Sequence, residues 1–139
     1  MDDPYNLQRF VEAQEPIYAR VLAELRAGSK HSHWMWFVFP QIAGLGHSET
    51  ARRFAISSRA EAAAYLEHPI LGSRLRECCR LATTVEGRSA RQIFGSPDDL
   101  KFRSSLTLFA EAASDNAIFK TALQKYFGGE PDSLTLDKL

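Results

Sequence analysis

The chain has 139 residues, 45% of them apolar and 24% charged, with 17 basic and 17 acidic side chains and a formal net charge of zero. That length suits one domain with its own core, and the balance excludes a disordered or fibrous chain. Zero net charge disfavours a protein that grips nucleic acid by neutralising phosphates, and the two cysteines, adjacent at Cys78 and Cys79, are poorly placed to bridge each other or to hold a metal.

The start, MDDPYNLQRF, is acidic and lacks the basic start and apolar core of a signal peptide. No apolar run approaches the roughly 20 residues of a membrane span, so a cytoplasmic protein with no membrane partner is expected. Asp3-Pro4 reads as a helix cap followed by proline at the first helical position, with Leu7, Phe10 and Val11 at helical spacing behind it. Pro16 opens a second helix, in which Ile17, Val21 and Leu25 form one row and Tyr18 and Leu22 the next, until Gly28 stops it.

Ser48 caps a short helix through Phe54, and Ser58 with Glu61 forms a capping box for an alanine-rich helix ending at His68-Pro69. From Ile70 a core helix carries Leu71, Leu75, Cys78, Cys79, Ala82 and Val85 on one stripe. Ser89 and Gln92 box a short helix closed by Gly95. Ser96-Pro97-Asp98-Asp99 then supplies a cap, a first-position proline and two first-turn acids for a helix reaching Ala113. Ser114-Asp115 caps a last helix bearing Ile118, Phe119, Ala122, Leu123, Tyr126 and Phe127, and the tail SLTLDKL has leucines enough to dock on the body. No alternating β-branched run and no repeat interrupts this pattern. The fold class predicted is all-α, a single compact irregular multihelical domain over residues 1–139 with about seven or eight short helices.

Candidate chemistry concentrates in two stretches. In HSHWMWFVFPQ, residues 31–41, two tryptophans and two phenylalanines follow a basic, histidine-bearing entry that includes Lys30. His33, beside Lys30 and Ser32 and before a tryptophan pair, reads as a general base. Trp34 and Trp36 offer faces on which a base or other flat ligand stacks, and Gln41 offers an amide to read its edge. On a helix, Trp36 and Phe39 would share one face and Trp34 and Phe37 another, one facing inward and one a cleft. The loop Ala43-Gly44-Leu45-Gly46-His47 has turn composition and no GxGxxG phosphate fingerprint. In GSPDDLKFRSSLTLF, residues 95–109, Lys101 falls on the row of Ser105, Leu108 and Ala112, out of place there unless paired or functional. Phe102, Leu106, Phe109 and Ala113 form the core face, and Asp99 and Arg103 are spaced for an i, i+4 ion pair. No histidine, aspartate or glutamate cluster has metal-ligand spacing, so no metal and no cofactor are indicated.

The stretches SHWMWFVFPQ at 32–41, ARRFAISS at 51–58 with AAAYLEHPILGSRLREC after it, and IFGSPDDLKFRSSLTLF at 93–109 resemble the domain-of-unknown-function 1810 family over nearly the whole chain. The resemblance implies a compact, mainly helical, bacterial-type domain of no established activity. A more local likeness joins Asp99-Leu100-Lys101 and the apolar run Leu106 to Phe109 to helical enzymes that cleave N-glycosidic bonds in ADP-ribose-like or riboflavin-pathway metabolites. It implies that an acid such as Asp99 or Glu12 assists loss of the base, that the aromatics hold the ring, and that Lys101 and Arg103 steady phosphate.

Three functions compete on these residues. A small-molecule binder or enzyme would have a cleft between residues 31–41 and the helix from about 97, lined by Lys30, His33, Trp34, Trp36, Gln41, Asp99, Lys101, Arg103 and Ser104, with His33, Asp99 and Lys101 as its catalytic groups. A protein-interaction or self-association module would instead expose the aromatics as an apolar patch. A single-strand nucleic-acid binder would need Arg52, Arg53, Arg74, Arg76 and Arg80 along one groove, against the nearby Glu67 and Glu77. The first is favoured, because Lys101 and the His33-Trp34 entry are harder to explain as packing than the aromatics themselves.

Overall fold

The computed structural model describes residues 2–139 and contains ten helices among them. They are α1 (Gln8–Gln14), α2 (Tyr18–Ala27), α3 (Met35–Val38), α4 (Glu49–Arg53), α5 (Arg59–Glu67), α6 (Leu71–Thr84), α7 (Ala90–Phe94), α8 (Asp98–Ala112), α9 (Ala117–Phe127) and α10 (Ser133–Asp137). The expected all-α single domain is what forms. Eight of the helices are those the capping and periodicity predict; the other two are a single turn in the aromatic stretch, α3, and the docked tail, α10. No strand occurs among the described residues, only an isolated parallel bridge between Ile42 and Ile56.

Helix α8 is the axis of the fold. It packs on α3, α5, α7, α9 and α10, while α6 forms a second layer against α2, α5 and α9. Every residue from Ser104 to Ala110 is buried, so α8 has no solvent face over two turns and is not the one-sided helix its periodicity suggested. Phe102 sits at the centre of a ring cluster, 4.5 Å from Phe94 and 4.9 Å from Phe39 between centroids. A second aromatic chain runs Phe10–Tyr65–Phe109, at 5.1 and 5.3 Å. Where α5 turns into α6, a side chain at Gly72 would stand 2.0 Å from the Leu66 carbonyl oxygen, so only glycine permits that close turn.

Several starts differ from the expected ones by a residue or a bond. Asp3 accepts hydrogen bonds from the Leu7 and Gln8 amides at 2.7 and 3.0 Å, but Asn6 adopts φ 51° and delays α1 to Gln8. The Ser89–Gln92 capping box is complete. At α5 only half of the box forms: Ser58 accepts from the Glu61 amide, while the Glu61 carboxylate turns to Ser57 and to Arg9, 2.9 Å away. Helix α8 begins at Asp98 without a side-chain cap, its first turn closed by the Gly95 and Pro97 carbonyls.

The aromatic stretch is positioned by Glu24, an acid of α2 that is buried. Its Oε1 accepts hydrogen bonds from the His31 and Ser32 amides and from the Trp34 indole at 2.9, 3.0 and 2.9 Å, and its Oε2 from the Ser32 hydroxyl at 2.6 Å. Burial alone would raise the carboxyl, yet these four donors outweigh it and bring the group down to about 2 from its ordinary 4.5. A group with a depressed folded-state value stabilises the fold above the unfolded value and loses that contribution as pH falls toward the folded one. Glu24→Gln is therefore expected to cost about 2–4 kcal/mol at neutral pH. In urea unfolding the gap between wild type and variant narrows as pH falls from 4.5 toward 2; a gap independent of pH over that window would contradict the assignment.

Candidate functional site

The turn after α2 carries Lys30 to the start of α8. The Lys30 amide donates to the Ile93 carbonyl at 2.7 Å, and Nζ reaches Asp98 Oδ2 at 2.8 Å with its side chain only 6% exposed. Asp98 also faces Lys101, whose Nζ lies 3.6 Å from Oδ1. Each ammonium is stacked on an indole, Lys30 on Trp34 and Lys101 on Trp36, both 5.1 Å from the ring centroid. One carboxylate thus serves two lysines, each with an aromatic floor. This accounts for the lysine that looked misplaced on the row of Ser105 and Leu108.

The one-turn helix α3 divides the aromatics by face. Trp34, Met35, Val38 and Phe39 point inward, Trp34 with no exposed surface, while Trp36 and Phe37 remain half-buried. Trp36 and Phe39 therefore do not share a face, because the chain leaves the helix at Phe39, where φ is −123° and ψ 72°. The ligand-stacking role expected of Trp34 is corrected: its ring is core and its N–H is spent on Glu24. Lys30 is corrected likewise, since it is buried in its pair with Asp98.

Two cavities open beside Trp36 and α8. The first, about 250 Å³, is lined by Trp36, Gln41, Ile42, Ala43, Gly44, Gly46, Ala51, Arg52, Phe54 and Ala55. The second, about 370 Å³, is lined by Gln41, Leu45, Gly46, Pro97, Leu100, Lys101, Arg103, Ser104, Asp132 and Leu134. Gln41 and Gly46 belong to both, so the two adjoin across the loop 41–46. That loop is held by backbone bonds from the Ala43 amide to Ile56 and from the Ile56 amide to Gln41, at 2.8 and 2.9 Å. A side chain at Gly46 would stand 2.6 Å from the Ala51 methyl, which keeps the loop close to α4. Each cavity alone lies near or below the small end of ligand pockets, roughly 300 Å³, and together they fall within that class.

The structure brings Gln41, Lys101, Arg103 and Ser104 to one cavity and places Trp36 in the adjoining one. It does not bring the remaining candidates there. His33 is exposed and lines neither of these two cavities, Glu12 is exposed on α1, and Asp99 lines neither. One Asp99 oxygen, Oδ1, is buried without a hydrogen-bond partner among the described residues. The expected Asp99–Arg103 pair is absent, because the Arg103 guanidinium reaches across to Glu130, donating to its carbonyl at 3.0 Å and to its carboxylate at 3.3 Å. Residues that sequence reasoning did not single out are Asp98, Asp132 and Glu24; Glu24 carried a signal, since an acid three residues after Val21 falls on the buried row of α2.

Other chemistry is disfavoured by position. Burial pushes the Cys78 and Cys79 thiols up to about 12, so neither is a thiolate nucleophile at neutral pH. Of the five arginines that a nucleic-acid groove would need, three are individually tied: Arg74 to Glu15 at 2.6 Å, Arg80 to Glu77 at 3.5 Å, and Arg76 to the Asp115 carbonyl at 3.0 Å. No group of three or more metal-ligating side chains occurs among the described residues, and no helix is long and apolar enough to cross a membrane. The two lysines on Asp98 should separate in mutagenesis. Lys30→Met, which strips a buried pair, is expected to cost about 2–4 kcal/mol, and Lys101→Met, at a longer and more exposed contact, under about 1 kcal/mol. Urea unfolding of the two variants measures the difference; equal costs would mean that the pair is not organised as described.

The chain is similar to a protein of known structure, the conserved hypothetical protein Rv1873 from Mycobacterium tuberculosis, at 56% sequence identity and a TM-score of 0.98, over 99% of this chain and 98% of that one. No curated protein matches it significantly. The sequence profile of the DUF1810 family, proteins of unknown function, matches residues 4–139, and the chain belongs to that family.

Proposed function

We propose that the protein binds a small anionic metabolite carrying a flat ring, nucleotide-like in its chemistry, across the two adjoining cavities. The observation that carries this reading is the position of Gln41. Gln41 lines both cavities, and its side-chain amide makes no hydrogen bond to the protein among the described residues. A donor and an acceptor left open at the junction of two pockets suit a ligand that spans them. On one side lie Trp36, Phe54 and Arg52, an aromatic and cationic lining suited to a ring. On the other lie Lys101 and Arg103, the groups that would meet phosphate.

Hydrolysis of an N-glycosidic bond would be an extension of this reading, with His33, Asp99 or Lys101 in catalytic roles. Of these, Lys101 lines the ligand cavity. The aromatic stretch offers no exposed patch for the alternative of self-association, its rings being buried or half-buried; that second reading rests instead on Leu100 and Leu134, which line the second cavity and are 55% and 59% exposed.

The test is thermal unfolding against nucleotides, ADP-ribose, nicotinamide and flavin precursors. A ligand at about 100 times its Kd stabilises the native state by about 2.7 kcal/mol, a readily measured rise in Tm. The rise is expected for a phosphorylated member of the panel, and is expected to vanish in Lys101→Met and Trp36→Ala while the variants remain folded by circular dichroism. No shift across the panel, with a concentration-dependent sedimentation coefficient, would replace this reading by self-association.

A further inference from the structure

Asp132 is held more firmly than a helix cap requires, and half of its carboxylate is not used by the fold. It caps α10, with Oδ2 accepting from the Thr135 amide at 3.1 Å and the Thr135 hydroxyl at 2.6 Å. The Ser104 hydroxyl lies 3.1 Å from the same oxygen, within equal reach of the Leu100 carbonyl. The Asp132 amide is fixed in turn to Thr107 Oγ1 at 2.8 Å. Thr135 is fully buried and Ser104 nearly so, so the carboxylate has little freedom to turn. Oδ1, by contrast, receives no hydrogen bond among the described residues, and Asp132 lines the second cavity. Capping needs one acceptor, which serine, threonine or asparagine supplies equally well. The charge also complements the start of α10, but the second oxygen is not needed for the cap.

The surroundings restrict what that oxygen can meet. Lys101 and Arg103 line the same cavity, yet they pair with Asp98 and Glu130 and not with Asp132. A bare phosphate drawn to the two cations would be repelled by the carboxylate. A phosphate ester that also carries hydroxyl groups satisfies all three, because hydroxyls donate to a carboxylate through strong charge-assisted bonds. Leu45, Leu100 and Leu134 line the same cavity and supply apolar walls for the C–H faces of a sugar ring.

We infer that Asp132 is a specificity residue that accepts hydrogen bonds from the vicinal hydroxyls of a sugar phosphate, so that the ligand of this cavity is a phosphorylated diol such as the ribose of a nucleotide. The inference rests on the small-molecule reading above and adds the chemical class and the residue that selects it.

The experiment is isothermal titration of the full chain with AMP, 2′,3′-dideoxy-AMP and inorganic phosphate, on wild type and Asp132→Asn. Wild type binds AMP more tightly than the dideoxy analogue by about tenfold or more, as expected for loss of hydrogen bonds to a charged acceptor. Asp132→Asn retains the cap and binds 2′,3′-dideoxy-AMP at least as tightly as wild type, because the charge that repels phosphate is gone, while its preference for AMP falls below about threefold, since an amide N–H2 now stands where an acceptor stood. Equal wild-type affinity for the two nucleotides overturns the role of Asp132 and leaves the cavity reading intact. A preference undiminished in Asp132→Asn also overturns it. Failure of all three probes to bind overturns the cavity reading and this inference with it. Should Asp132→Asn not fold, Asp132→Ser keeps a capping oxygen, and the wild-type ratio by itself still decides whether the hydroxyls are recognised.

Discussion

The path of the chain from α2 to α8 depends on the buried carboxylate of Glu24. Three backbone or side-chain N–H groups and one hydroxyl converge on it within the span His31 to Trp34. A buried donor left without a partner costs about 1–3 kcal/mol, so this one acid decides whether the segment folds as a tight turn at all. By drawing the Trp34 indole inward it fixes the first residue before α3, and a single helical turn then leaves Trp36 on the outer side. The same turn delivers Lys30 to the carbonyl of Ile93 and to Asp98. Core packing and the rim of the first cavity are consequences of one hydrogen-bonding arrangement.

The charge of the site follows from that placement. Asp98 lies in the first turn of α8, where an acid complements the helix end, and Lys30 takes the short, buried contact with it. Lys101 is left with the longer contact at 3.6 Å and with one side in the cavity. Two ammonium groups share the one Asp98 carboxylate, and Lys101 is the more exposed of the two. The cation in the cavity is thus placed by the fold, through its contacts with Asp98 and Trp36.

What could be read in the sequence was local, and what could not was long-range. The cap at Ser48, the box at Ser89 and Gln92 and the stop at Gly28 all involve neighbours within five residues, and all form. The half-formed box at Ser58 fails because Glu61 has a competitor, Arg9, which lies 52 residues away in sequence and bonds the Arg53 and Ala55 carbonyls as well. Lys101 was conspicuous as a charge on a core row, but neither Trp36 nor Asp98 could be recognised as its partner from spacing. Burial on every side of α8 is likewise invisible in its own residues, since it is supplied by α5, α7, α9 and α10. Among the aromatics of 34–39, composition is nearly uniform, and only the position of Glu24 selects which ring faces inward. Applied to α2, the same logic that exposed Lys101 would have exposed Glu24.

The stacking of Lys101 on Trp36 joins the lining of the two cavities: the ammonium lies 5.1 Å from the indole centroid, the ring borders the first cavity and the lysine borders the second. An exposed cation–π contact is worth about 0.5–1 kcal/mol and a partly exposed ion pair no more, so moving Lys101 away costs little. Lys101 is thus the less firmly held of the two lysines on Asp98, by its longer contact and greater exposure, and the one whose side chain links Trp36, at the first cavity, with the lining of the second.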